Sequence, residues 1–383
     1  MHGISLEQVK WAGRDRRQAI VAVRHAESHG ANLTSYAGYQ SMSAIVTVPR
    51  LPPSPIRIGG ASVAPGSKAV LDLPLTELSD GTIIRLPVVV INGAKPGPRL
   101  YLGAAIHGDE VTGVSIITDV LKDIEPQALS GSIVAVPVQH PLAFHADHRI
   151  PISQFIKSPL DQAPIDAWTC FPGDAEGNLS QQLAAKLFGL ITMCSFAFDI
   201  HTPTRGGRYV PISILPGPAL GDNSKQALWL AEQCDSGFIV LGEKGMYVSR
   251  GILCVEATAA GVPSFTFEIG EGGRLEPEVI AEGVRCIRNG LIGLGMIDGT
   301  RVAPKVNYLM RDFLGIRAKR GGLLFTLVKL GARVEKGQLL ARTVDIHGRD
   351  VEMFTAPQEG VFVRSTTLST VSTGERVATL GVF

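Results

Sequence analysis

Three short segments carry residues whose types and spacing suit metal-assisted chemistry. In Ala104-Ala105-Ile106-His107-Gly108-Asp109-Glu110, an apolar run stops on a histidine, a glycine and two carboxylates. His-x-x-Glu is a spacing at which an imidazole nitrogen and a carboxylate oxygen can reach one cation, with Gly108 expected to permit the tight turn between them. A second apolar run, Ser195 to Ile200, ends at His201. His107, Glu110 and His201 together make the His₂Glu set of catalytic zinc sites, which keep a fourth position for water or substrate. One zinc ion per chain is the implied cofactor. Asp199, two residues before His201, projects to the same strand face; it either orients that imidazole or is satisfied by backbone donors. Glu268 stands inside the apolar segment Phe265-Thr266-Phe267-Glu268-Ile269-Gly270. A carboxylate in such a strand is costly unless paired, so Glu268 is either a buried structural acid or a functional one. Three ligands at neighbouring strand ends favour the functional reading. Zinc lowers the pKa of bound water to about 7, and a base must still carry the proton to the leaving group.

These residues need strands that end side by side. Leu100 to Ile106, after the breaker cluster Lys95-Pro96-Gly97-Pro98, reads as a buried strand. A helical face follows in Val114, Ile117, Val120 and Leu121, then a strand over Ile133 to Val138. Further helices are expected over Leu179 to Met193, Ser224 to Cys234, Leu253 to Ala260 (closed by Gly261) and Pro277 to Ile297. Strands are expected over Ser195 to Ile200 and Pro263 to Ile269. The alternation implies an α/β fold, a mostly parallel mixed sheet flanked by helices. Open α/β sheets place ligands at the carboxyl ends of strands, where His107 and His201 fall. Ahead of this lie strand-like runs at Ala44 to Val48, Ala69 to Leu75 and Thr82 to Asn92. Gln139 to Gly173, with His140, His145, His148 and Arg149, has little periodicity and reads as a functional loop. Its histidines fit no firm metal template and are taken as pocket lining or surface residues.

Residues 1–45 read as an N-terminal extension, 46–310 as the catalytic α/β domain and 311–383 as a smaller all-β barrel or sandwich. In the last region Val334-Glu335-Lys336-Gly337-Gln338-Leu339-Leu340-Ala341 is echoed by Val371-Ser372-Thr373-Gly374-Glu375-Arg376-Val377-Ala378. Two strand-turn-strand copies suggest a biotinyl/lipoyl-like unit, but no Met-Lys attachment pair lies between them, so a structural or gating role is expected.

The 383 residues are 45% hydrophobic and 19% charged, with a formal net charge of +1. That balance offers no field for nucleic acid, so a small-molecule substrate is expected. Five singly spaced cysteines argue against a disulfide framework and for a reducing cytoplasm. The longest apolar run, Leu187 to Phe198, is short of the roughly 20 residues of a spanning helix, so no membrane is expected, nor is a signal peptide visible. Homo-oligomerisation is left open.

The three site segments, in this order and at this separation, resemble the succinylglutamate desuccinylase/aspartoacylase family, relatives of the zinc carboxypeptidases. The resemblance runs from about residue 55 to the end. It implies His107, Glu110 and His201 as zinc ligands, Glu268 as general acid/base, and hydrolysis of the amide bond of an N-acyl amino acid or similar acylated amine. It also aligns Arg149 with an arginine that polarises the scissile carbonyl. Where the family has Asp-Leu-Asn-Arg before Phe-Pro-Gly, this chain has Asp166-Ala167-Trp168-Thr169-Cys170 before Phe171-Pro172-Gly173. Trp168 and Thr169 thus occupy the substrate-gripping positions, and an indole with a hydroxyl cannot imitate a guanidinium fork. Arg205 and Arg208 are candidate substitutes, weighed against solvated loop charges beside Gly206-Gly207. The altered pair leaves two other readings, a non-catalytic ligand-binding descendant and a peptide-cleaving metallocarboxypeptidase. Asp109 is expected to be a helix N-terminal acid.

Overall fold

The computed structural model describes residues 46–151 and 165–383. The expected N-terminal extension and part of the 139–173 loop lie outside them. The strands are β1 Ile56–Ile58, β2 Ala61–Val63, β3 Ser67–Glu77, β4 Ile83–Asn92, β5 Lys95–Ala104, β6 Ser130–Val136, β7 Phe196–His201, β8 Gly207–Ile214, β9 Phe238–Val240, β10 Ser264–Gly270, β11 Tyr308–Met310, β12 Asp312–Arg317, β13 Gly322–Thr326, β14 Arg333–Val334, β15 Leu339–Val344, β16 Asp350–Thr355, β17 Gly360–Thr366, β18 Thr370–Val371 and β19 Arg376–Val382. The helices are α1 Thr112–Lys122, α2 Pro141–His145, α3 Leu179–Thr192, α4 Asp222–Cys234, α5 Leu253–Ala259 and α6 Pro277–Gly293.

The main sheet runs β12-β19-β17-β8-β10-β7-β5-β6-β4-β3. Its centre is parallel, β6 and β7 flanking β5 and β10 following β7. Strands buried on both faces need apolar residues at every position, and β7 and β10 are buried throughout. Phe196, Phe198, Ile200, Phe265 and Phe267 pack under α1, α4 and α6. Ala197 and Tyr101 face the other way, under α3 and α5. The period of two therefore puts Asp199, His201 and Glu268 on the α3/α5 face. Asn178 caps α3 reciprocally with Gln181, which fixes where that helix begins.

The C-terminal region adds β12, β17 and β19 to the end of the main sheet through β8, and folds the four-stranded sheet β16-β15-β13-β18 over them. Val334, Leu340, Phe354, Phe362, Val377 and Leu380 fill the space between. Both copies of the sequence echo fold as strand, turn, strand. Gly337 and Gly374 take φ of 83° and 86°, and Val334 and Val371 are both buried.

Three local expectations fail for physical reasons. Residues 46–48 form no strand; Leu51 makes a single bridge to Gly97 instead, because Pro49, Pro52, Pro53 and Pro55 remove ladder donors. The breaker cluster 95–98 lies inside β5, where the register to β6 shifts between Lys95 and Arg99, an irregularity that tolerates proline. That strand ends at Ala104, since Ala105 turns left-handed at φ 49°. Finally, β8 and β9 were not expected at all, although β8 joins the two regions.

Candidate metal centre and active site

His107 and Glu110 leave the carboxyl end of β5 on the turn before α1, and His201 is the last residue of the neighbouring β7. One donor atom from each lies within 4.8 Å of the others, and all three side chains are buried. His107 Nδ1 is 2.8 Å from Glu110 Oε1, and His201 Nδ1 is 2.9 Å from Glu110 Oε2. The far nitrogens face carboxylates too: His107 Nε2 meets Asp166 Oδ1 at 3.1 Å, and His201 Nε2 meets Asp199 Oδ2 at 2.9 Å. Imidazoles turned by an outer carboxylate toward a shared focus are the usual preparation of metal ligands. The donor set therefore fits a divalent cation of the zinc type.

The electrostatics agree with that focus. Burial disfavours a charged His107, but Glu110 and the bond to Asp166 override it and raise its pKa. His201 is raised likewise against burial by Asp199 and Glu110. Burial pushes Glu110 up, and the two imidazoles more than reverse this, holding it well below the carboxylate range.

Gly108 has no left-handed torsion. A Cβ there would fall 1.9 Å from the backbone carbon and oxygen of Ala143 in α2, so glycine is required for close approach and not for a turn. Asp109 is not a helix N-terminal acid: α1 begins at Thr112 with no acid in its first turn. Asp109 is buried, its Oδ2 accepting from the Arg205 backbone N–H at 3.3 Å and its carbonyl from Gly273.

Glu268 pairs in register with His201 across β7 and β10. Its Oε1 accepts a hydrogen bond from the Tyr247 hydroxyl at 2.8 Å, and its Oε2 is buried with no partner among the described residues. Burial, then the charge of Glu110, raises its carboxyl pKa against the pull of His201 and Tyr247. Arg149 directs Nε and Nη2 to Asp166 Oδ2 at 3.0 and 2.7 Å, with Nη1 3.8 Å from Glu110 Oε1. Its guanidinium thus reaches the metal focus from the half-exposed side.

The two residues at the expected gripping positions are placed differently. Trp168 is 2% exposed; its Nε1–H donates to Asp199 Oδ2 at 3.1 Å, and its ring lies 5.3 Å from His201, 5.8 Å from His107 and 5.6 Å from Tyr247. Thr169 is exposed and donates to the Asp166 carbonyl. Arg205 is also exposed and pairs with Asp147; Arg208 pairs with Glu276. His145 and His148 are exposed, and only His140 is buried. The Cys170 thiol is pushed up to about 11 by burial and Asp166, which keeps it protonated.

Asp166 and Tyr247 were given no role by the sequence. Asp166 was visible as the acid heading the altered segment, and its Oδ1 also accepts from the Trp168 backbone N–H. Burial raises its carboxyl, while His107 and Arg149 more than offset this and depress it. Tyr247 sits in an irregular stretch with no periodic signal.

The family model described as the succinylglutamate desuccinylase/aspartoacylase catalytic domain matches residues 96–294, just over half of the chain. An N-alpha-acetyl-L-2,4-diaminobutyric acid deacetylase from Halomonas elongata is 25% identical over 347 residues, covering 86% of this chain and 95% of that protein. The product-bound structure of the ectoine utilization protein EutE (DoeB) from Ruegeria pomeroyi superposes with a TM-score of 0.70 at 24% identity, over 87% of this chain and 99% of that one. A succinylglutamate desuccinylase from Silicibacter sp. TM1040 gives 0.70 at 23% identity, over 87% and 98%. The two solved structures share the α/β fold with its β-rich C-terminal region.

Proposed function

The chain belongs to the succinylglutamate desuccinylase/aspartoacylase family, and from that premise we propose that it is a zinc-dependent hydrolase cleaving the amide bond of a small N-acylated amine or amino-acid-like substrate. The observation that carries this reading is the convergence of both Nδ1 atoms on Glu110, with Glu268 one strand away in register. His107, Glu110 and His201 would hold one zinc ion. When bound, zinc supplies a Lewis acid that polarises the scissile carbonyl and makes water a nucleophile near neutral pH.

The protein groups do the rest. Glu268 takes the proton of the attacking water and delivers it to the departing nitrogen, a task suited to a carboxyl whose pKa burial has raised. Tyr247 occupies Oε1, so Oε2 is the atom that carries the proton. Arg149, locked by Asp166, supplies positive charge where negative charge develops on the carbonyl oxygen. Trp168 works indirectly, by holding the carboxylate that orients His201. We take 46–310 as the catalytic unit and 311–383 as a region that bounds the pocket. The names of the Halomonas and Silicibacter proteins support small acylated amines as the substrate class. Five free cysteines fit a cytoplasmic setting.

The test is hydrolysis of a panel of N-acyl amines, with and without an α-carboxylate, by protein stripped of metal and then reloaded. Activity should return in proportion to zinc, up to one ion per chain. Undiminished activity in the stripped protein, or none on any panel member after reloading, would refute the reading.

A further inference from the structure

Trp168 spends its N–H on Asp199 and Thr169 its hydroxyl on the Asp166 carbonyl, and the arginines near the metal focus are already engaged: Arg149 by Asp166, Arg205 by Asp147, Arg208 by Glu276. Arg364 of β17 is different. Among the described residues its buried Nη1 has no hydrogen-bond partner and no carboxylate stands within ion-pair distance. Arg364 itself is half-buried, but a guanidinium nitrogen buried without an acceptor is costly, so the site has room for an anion to complete it.

The sheet shows where Arg364 points. Glu268 pairs with Ile212 on β8, but Gly270 pairs with Tyr209, so two residues on β10 oppose three on β8. This bulge returns Tyr209 to the face that carries Glu268. Arg364 pairs directly with Tyr209 on β17 and lies with its guanidinium carbon 5.9 Å from that ring. Glu268, Tyr209 and Arg364 thus share one face, with Tyr247 closing on Glu268. Glu268 and Tyr247 are both near enough to act electrostatically on Arg364. At Gly207 an ideal Cβ would stand 2.2 Å from Arg364 Nη2, so the glycine makes the space in which the guanidinium lies.

We propose that Arg364, delivered by the C-terminal region, is the residue that recognises a carboxylate on the acylated substrate, in place of the missing Asn-Arg pair. This rests on the hydrolase reading for its site and assigns the substrate class: anionic N-acyl amines. The guanidinium fork matches a carboxylate in two bonds, while the Tyr209 ring holds its plane. Arg364 contributes binding and orientation; Glu268 and Arg149 keep their roles in the chemistry.

The experiment compares zinc-loaded wild type, Arg364→Gln, Arg364→Lys and the exposed-residue control Arg320→Gln on three probes. N-acetyl-L-alanine carries the carboxylate on the amine half, N-succinyl-L-alaninamide on the acyl half, and N-acetyl-L-alaninamide carries none. For whichever charged probe wild type prefers, Arg364→Gln should lose about 10- to 100-fold in kcat/KM, chiefly through KM. The neutral probe should change less than about threefold, Arg364→Lys should recover part of the loss, and Arg320→Gln should behave as wild type. The probe that is affected identifies the half bearing the carboxylate. Equal losses on charged and neutral probes, or no loss on either, overturn the proposal while leaving the hydrolase reading intact. If wild type hydrolyses none of the three, calorimetric binding of the same probes decides: preference for a charged probe that Arg364→Gln removes supports the proposal, and no such preference, or no binding, overturns it. Thermal melts monitor folding, and the Lys variant carries the comparison if Gln fails to fold.

Discussion

Replacing Trp168 with phenylalanine removes one N–H from the metal centre and separates two roles for this residue. The bond it donates is 3.1 Å long, to an Asp199 that is fully buried and whose other oxygen has no partner among the described residues. Asp199 would then keep only His201 as a side-chain donor. A hydrogen bond to a buried charged group contributes about 1.5–3 kcal/mol, and loss of an outer partner typically weakens metal affinity about 10–100-fold, which is about 1.4–2.7 kcal/mol. The two figures agree, so zinc affinity should fall by about 2 kcal/mol. The smaller ring adds a packing loss of about 1 kcal/mol to global stability, a separate quantity. The assay is chelator competition for zinc, with kcat and KM measured at saturating metal. A double-mutant cycle with Asp199→Asn removes the packing contribution, since the coupling counts only what the pair does together. Coupling of about 1.5 kcal/mol or more is expected, with KM little changed. Coupling near zero, or a large rise in KM at unchanged zinc affinity, would refute this account and return Trp168 to the substrate.

Glu268→Ala should lower turnover by about 10²–10⁴-fold while zinc content by mass spectrometry stays near one per chain; lost zinc or retained turnover would contradict the assignment. Tyr247→Phe removes a donor that favours the carboxylate form of Glu268. Its pKa should therefore rise further, and the acid limb of the kcat/KM profile should move to higher pH; an unmoved limb would speak against Glu268 as the base. Gly108→Ala must displace the backbone of α2. It should cost about 1–3 kcal/mol in denaturant unfolding, or more if α2 cannot yield, and a neutral result would contradict the close approach.

The central strands and helices were legible because burial on both faces writes itself as apolar runs and amphipathic periods, which is how β7, β10, α1 and α3 could be read. The two halves of the metal set were legible for the same reason, since a polar residue ending or interrupting such a run stands out. β8 left no such mark: Gly207 to Ile214 contains a proline and two polar residues, and its bulge depends on pairing with β10 and β17. Tyr247 and Arg364 were equally silent, and Asp166 showed only as the acid heading an altered segment, with nothing to assign it a partner. An aspartate in a loop, a tyrosine in an irregular segment and an arginine on a distant strand acquire meaning only when folding sets them around one point.

The sequence alone determined the donor types and the buried runs that His107, Glu110 and His201 follow or end and that Glu268 interrupts, because local polarity patterns encode burial. Only the tertiary structure decided which carboxylate turns each imidazole, that Trp168 spends its N–H on Asp199, and that a C-terminal arginine stands on the face of Glu268. Those are long-range pairings, fixed by sheet register and by the need to satisfy buried polar groups, and neither is written in any one segment.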